Sequence, residues 1–227
     1  QIHDIRENIP ITLPGGGFAM QVDNEINLQH VIRTPNRSFS CGLHVVPQPD
    51  SNSVYIGASN TVRIEPFKHP KIGDMHLLIR SAMGQINQDF YKSEAKVQLV
   101  GHRPVTLDTF PLVGPTSLGN LWILTGTYRD GLMQSPELAN HLVENMLEGE
   151  NLPYPEFIPE RKLIKSFSKQ EAINYTVEQV MASGYELGLK LPEIGWDNYI
   201  SSMIKSTFTK FYNNLDFPLE PDLTNII

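Results

Sequence analysis

Two arginines sit where the chain changes direction, and a planar guanidinium in such a place suits two-pronged binding of a carboxylate. The first is in the run Gly101-His102-Arg103-Pro104-Val105-Thr106-Leu107-Asp108. Pro104 removes a backbone donor, and Pro111 and Gly114 add turn signals, so Arg103 is expected at the end of a strand. The plainer alternative is an arginine paired with a surface acid. The second is in Gly126-Thr127-Tyr128-Arg129-Asp130-Gly131. Before it, 121–124 is a short unbroken apolar run, which predicts a strand buried on both faces. After it, Gly131 opens an amphipathic segment, and a helix N-terminus offers N–H groups without intrahelical partners to a polar or anionic group.

The elements that must position these residues follow from periodicity and turn chemistry. Short β-prone runs at 9–13, 17–22, 28–33, 42–46 and 54–58, separated by Pro, Gly, Asn and Asp, predict an antiparallel sheet, with a hairpin across 47–53. Gly15-Gly16-Gly17 is followed by a strand-like run and reads as a turn. Met75, Leu78, Ile79, Met83 and Ile86 recur at threes and fours, which predicts a helix over 74–86 covering the sheet. A return strand over 96–101 then delivers Arg103. The helix after Gly131 places Leu132, Leu138, Leu142, Val143, Met146 and Leu147 mostly on one face and stops at Gly149. Glu65 and Asp108 read as carboxylates without partners, Asp108 in a turn. The fold class is therefore α+β, dominated by the antiparallel sheet.

Composition removes several chemistries. A net charge of −7 argues against a nucleic-acid footprint. The single cysteine, Cys41, excludes an internal disulfide framework, reads as a small buried hydrophobe, and fits a reducing, cytoplasmic setting. No apolar run reaches the roughly 18 residues of a membrane span. Zinc-type His and Cys spacings and a Gly-x-Ser-x-Gly elbow are absent from the sequence. No metal site is expected.

Taken together, the runs 101–114 and 121–132, preceded by Leu43-His44-Val45-Val46-Pro47 and Val54-Tyr55-Ile56-Gly57-Ala58-Ser59, resemble the C-terminal half of the D-amino acid oxidase-like flavoenzymes, the group of glycine and sarcosine oxidases. The resemblance covers roughly residues 9–150. It implies a substrate-binding sheet over 1–100 and the C-terminal piece of an FAD-binding domain over 101–152. It also implies oxidation of a small amine or amino acid by hydride transfer to FAD, with peroxide formed on reoxidation. Under it Arg103 anchors the substrate carboxylate, Arg129 assists, and His44 stands at a substrate-facing strand position. A histidine bonded to backbone on a sheet face is the competing reading of His44. Gly126, Arg129, Asp130, Gly131, Leu132 and Met133 approach the flavin ring.

The sequence departs from the family where Thr127 follows Gly126 in place of His and where Asp130 replaces Asn. It also lacks the Gly-x-Gly-x-x-Gly unit that holds a dinucleotide pyrophosphate. The expectation is a fragment or one chain of a complex, missing its N-terminal FAD-binding half and holding FAD weakly or not at all alone. Two alternatives stand beside it. One is a non-catalytic partner-binding module derived from such an oxidase; the other, within the enzyme class, is a tRNA-base-modifying relative, which the acidic balance disfavours.

Residues 153–227 lie beyond the resemblance. Pro153, Pro155 and Pro159 make a stiff linker. Two helices are expected after it, one capped by Ser168 with Glu171 three residues on, the other over 196–215 with an apolar stripe of Tyr199, Ile200, Met203, Ile204, Phe208 and Phe211. The stripe reads as a packed helix or, if open, as a surface for a partner or a second copy.

Overall fold

A computed structural model describes residues 5–35, 38, 42–49 and 51–226, apart from the side chains of 97, 98, 225 and 226. Cys41 lies outside the described residues. The fold is α+β. Its centre is β1 (Thr12–Asp23), which pairs along its whole length with β6 (Ala95–Thr106). The other edge of β1 takes β5 (Thr61–Val62) at Gly15 and Gly16, then β4 (Ser53–Gly57) from Ala19 to Asp23. β3 (His44–Gln48) and β2 (Ile32–Arg33) extend the sheet outward, all pairs antiparallel. The expected hairpin across 47–53 is β3–β4.

The glycine triplet is not a turn. It lies inside β1, hydrogen-bonded on both edges, and each glycine is covered by a neighbouring side chain. A Cβ on Gly15 would lie 3.0 Å from the Tyr128 ring, on Gly16 2.1 Å from Phe67, and on Gly17 2.6 Å from the Arg103 guanidinium. Glycine serves here for close approach within an extended strand rather than for a reversal. The two runs expected at 9–13 and 17–22 are thus one strand.

Side chains alternate across the sheet. Phe18, Met20 and Val22 of β1, with Val45, Val54 and Ile56, face α1 (Ile72–Gln85) and form a core with Leu43, Leu78, Ala82 and Phe90. Asp74 accepts the Lys71 N–H at 3.2 Å and so closes the helix start. The opposite face carries Gly15, Gly17 and Ala19, in register with Arg103, Gly101 and Leu99.

After β6, the chain forms a separate two-stranded sheet, β7 (Leu112–Pro115) with β8 (Trp122–Thr125). The expectation of a strand buried on both faces fails: Leu112 and Val113 of β7 are buried, but Leu121 and Leu124 are exposed. α2 (Gly131–Glu148) follows and ends at Gly149 with φ 71°, the left-handed cap that glycine adopts without a Cβ penalty. The Trp122 indole N–H donates to Asn145 and ties hairpin to helix. Only Leu138 of the expected apolar face is buried, while Leu132, Val143, Met146 and Leu147 are open.

The tail folds back on this body. α3 (Lys169–Glu186) starts with the expected Ser168 and Glu171 capping pair, and α4 (Trp196–Asn213) packs on it through Ile200, Ile204, Phe208 and Phe211. Tyr199 and Met203 of the stripe stay exposed. Leu223, in the short 3-10 turn Pro221–Ile226, is buried with Val62, Val105 and Tyr128. Asp108 is fully buried and paired with Arg161, which overturns its reading as a carboxylate without a partner. It accepts both guanidinium nitrogens of Arg161 and the Ile164 N–H at 2.9 Å. Burial pushes its carboxyl up, but these donors, with the Thr106 hydroxyl, outweigh burial and hold it below its ordinary value. No helix among the described residues is long and apolar enough to cross a membrane.

Candidate functional site

The glycine-floored face of the sheet has chemistry only at its rim. Gly17, Gly101 and Ala19 leave a strip of bare backbone, and Arg103, Tyr55 and Leu99 rise beside it to line a cleft of about 260 Å³. Arg103 is three residues inside β6, opposite Gly15, rather than at the strand end. A proline is tolerated at 104 because its partner across the ladder is Pro14, so neither side needs a donor there. The Arg103 side chain reaches along the strand and lies over Gly17, held half-buried at the cleft.

His44 is on the same face, two strands away. Its ring stacks on Tyr55 with centroids 5.6 Å apart and planes 19° apart, and it crosses Gly57, where a Cβ would lie 2.5 Å from Nε2. Its first contact at the cleft is thus Tyr55. Burial pushes the Tyr55 phenol up and Arg103 only partly opposes this, so the hydroxyl stays protonated and able to donate at neutral pH.

The 126–131 loop closes the other end of the floor. Gly126 (φ 75°) and Tyr128 (φ 49°) both lie in the left-handed region. The Tyr128 N–H donates to the Pro104 carbonyl at 3.2 Å, its ring covers Gly15, and its hydroxyl accepts from Asn60. Burial raises the Tyr128 phenol pKa, against smaller opposing effects of Asn60 and the two arginines. Gly131 is required by space, since a Cβ there would lie 2.7 Å from Thr127 Oγ1. Asp130 is the helix N-cap residue, but its carboxylate makes no capping bond; its carbonyl takes the Met133 and Gln134 N–H groups. Leu132 is 95% exposed and Met133 is nearly as open.

Arg129 points away from Arg103. Its Nη2 meets Asp222 Oδ2 of the tail at 2.8 Å, and its guanidinium lies 5.0 Å from the Tyr128 ring centre. The structure therefore gathers Arg103, Tyr55 and His44 on one sheet face, with Tyr128 adjoining. Asp130 faces two other clefts, one shared with Thr127, Gln134 and Tyr154, the other with Arg129, Glu220 and Asp222. The cleft that Arg103 lines does not include Asp130 or Gly131. Tyr128 stands between that cleft and these two residues. No three His, Cys, Asp or Glu side chains converge on a metal position among the described residues.

Tyr55 and Tyr128 were not legible as site residues from spacing. The one available signal was the glycine triplet: three glycines in a strand mark close approach of other groups to backbone. That approach is also what a flat ring system demands, and the open first turn of α2 with the apolar Leu132 fits the edge of a planar heterocycle such as a flavin.

Residues 2–145 match the model of the family described as FAD dependent oxidoreductase. The bifunctional protein ThiO/ThiG of Trichormus variabilis is 28% identical over 116 residues, 51% of this chain and 17% of that protein. Among solved structures, glycine oxidase from Geobacillus kaustophilus superposes with a TM-score of 0.57 at 24% identity, over 70% of this chain and 42% of that one. Glycine oxidase from Bacillus cereus does so with 0.56 at 17% identity, over 72% and 43%. The chain thus spans less than half the length of these relatives, and the structural likenesses are of fold. With well over half of its residues inside the family match, including β1, β6 and the 126–131 loop, the chain belongs to the FAD-dependent oxidoreductase family.

Proposed function

We propose that this chain forms the substrate-facing part of a flavoenzyme that oxidises a small amine or amino acid. The observation that carries the proposal is Arg103 laid over Gly17 at the edge of a bare-backbone cleft, with the protonated Tyr55 hydroxyl beside it. A guanidinium fork and a phenol donor form a receptor for a carboxylate, and the glycine floor lets the rest of the substrate lie flat against the sheet. His44 acts through Tyr55, whose ring it supports. Gly131 and Leu132, at the open N-terminus of α2, offer main-chain N–H groups to the flavin, and Gly126 lets the loop turn toward it; Asp130 and Met133 border the same place. Bound FAD would accept the hydride from the carbon next to nitrogen. The chain's own residues bind the acid, fix its orientation and exclude water.

The exposed apolar side chains of α2, Leu132, Val143, Met146 and Leu147, support a further part of this reading: a dinucleotide-binding unit, on this or another polypeptide, covers them and supplies the pyrophosphate site. Asp130 in place of the family's Asn puts negative charge near the ring and opposes reduction.

The test is to combine the chain with such a unit, assay peroxide from glycine and other small amino acids, and repeat with Arg103→Ala and Arg103→Lys. Activity lost in Arg103→Ala, with KM raised in Arg103→Lys because the fork is gone, supports the proposal. Full activity in Arg103→Ala refutes it. A second reading, a non-catalytic module descended from such an oxidase, is favoured by the separation of Arg103 and Asp130 into different clefts. It requires that no peroxide form with any amino acid while FAD is retained.

A further inference from the structure

The family match ends at residue 145, yet the C-terminal segment returns to the loop that borders the substrate cleft. Two contacts make the return. Leu223 is fully buried between Val62 of β5 and Val105 of β6, with the Tyr128 ring against it. Asp222 takes the Arg129 guanidinium at 2.8 Å, both side chains being about a quarter exposed. Arg129 in turn lies over the Tyr128 ring. Tyr128 needs such support, because its left-handed backbone (φ 49°) is unfavourable for a residue with a Cβ. Within the family-matched part, the Pro104 carbonyl and the Asn60 amide help to hold that geometry.

We propose that Asp222 and Leu223 are positioning residues: they clamp Arg129 and Tyr128 so that the Tyr128 ring stays over Gly15, beside Arg103, and closes one end of the carboxylate cleft. The clamp also explains why Arg129 is not free for substrate. Its charge is spent on the tail. The clamp itself is independent of any catalytic role, whereas its effect on substrate rests on the reading of the Arg103 cleft given above. Specificity follows from the clamp. With Tyr128 fixed, the Gly15 end of the floor is shut to bulky groups, and a loosened loop opens it.

The experiment separates the two levels. Backbone hydrogen exchange of the full chain is measured for wild type, Asp222→Asn, Asp222→Arg, the exchanged pair Arg129→Asp with Asp222→Arg, and Asp197→Asn on exposed α4 as control. Expected are amides of 127–130 exchanging roughly fivefold faster in Asp222→Asn and faster still in Asp222→Arg, with recovery in the exchanged pair and no change in the control. Amides of the β1–β6 ladder stay as in wild type. Unchanged loop exchange in both Asp222 variants overturns the clamp. In the flavin-loaded protein, the same variants should raise KM for bulky amino acids less than for glycine, so that the preference for small substrates shrinks. A loosened loop with an unchanged preference overturns the specificity role and leaves the Arg103 proposal standing.

Discussion

Replacing Gly17 by alanine tests the cleft with one carbon atom. The added Cβ would lie 2.6 Å from Nη1, 2.9 Å from Nη2 and 3.2 Å from Cζ of Arg103, whereas ordinary contact begins near 3.4 Å. The backbone of β1 is fixed by ladders on both edges, so the guanidinium must give way by about 0.8 Å, the difference between 2.6 and 3.4 Å. A shift of about 1 Å in a binding group costs up to roughly a hundredfold, and a hydrogen bond to a charged group contributes ~1.5–3 kcal/mol, or about 10- to 100-fold in affinity. Gly101→Ala is the matched control. Gly101 is the register partner of Gly17 on the same face, and a Cβ there meets nothing within 4 Å. Alanine in a strand stabilises by roughly 0.5–1 kcal/mol over glycine, which in a chain of this size raises Tm by about 1–4 °C. Gly101→Ala should show that gain and bind carboxylate nearly as wild type; Gly17→Ala should forfeit much of the gain and bind glycine about 10- to 100-fold more weakly. Titration of glycine followed by the arginine Nε NMR signals, together with thermal melts, reads both quantities. Wild-type glycine affinity in Gly17→Ala would refute the assignment of Arg103 as the anchor.

Other consequences follow from the tail. Asp108→Asn removes the partner of a buried guanidinium and should cost roughly 3–5 kcal/mol, read by urea unfolding. Because the folded Asp108 carboxyl titrates below its ordinary value, its contribution is present above the unfolded pKa and is lost as pH falls through the folded one, so the variant should show a weaker acid dependence. Glu220 has the opposite sign: burial, only partly offset by the Ser166 hydroxyl and reinforced by Asp222 and Asp108, pushes its carboxyl up to about 7. The folded state therefore holds a proton that the unfolded state has released, stability falls as pH rises from about 4.5 to about 7, and Glu220→Gln should flatten Tm over that window. If Glu220→Gln keeps the wild-type slope, another group is responsible. Ser168→Ala opens the α3 capping pair and should cost about 0.5–2 kcal/mol by the same melts, without altering glycine binding.

What could be read from residue order was the part governed by local periodicity. The β-prone runs of β3 and β4 with the turn residues between them, the threes and fours of α1, and the glycine stop of α2 each depend on neighbours a few positions away, and each element forms within two residues of where that pattern places it. The errors came where partners distant in sequence decide. Gly15-Gly16-Gly17 has turn composition, yet Tyr128, Phe67 and Arg103, each more than fifty residues away or on another strand, occupy the places its side chains would take. Leu121 to Leu124 has the hydrophobicity of a buried strand, but the segments that pack on the hairpin bury Leu112 and Val113 and leave Leu121 and Leu124 exposed.

The two arginines show the same limit at the site. Both lie beside glycine in turn-rich runs, and spacing alone treats them alike. Arg103 faces the cleft because Gly17, diagonal to it across the ladder, and Gly101, two residues before it on β6, have no side chains to fill the space, a condition set by the register of β1 on β6. Arg129 is taken up by Asp222, 93 residues onward, in a segment that lies outside the family match. Register and a long-range ion pair, not local composition, divide the work between them. The proposed substrate anchor is therefore a property of the sheet, while the loop that carries Arg129 is tied to the tail. Variation in the tail should alter which substrates enter without moving the group that holds their acid.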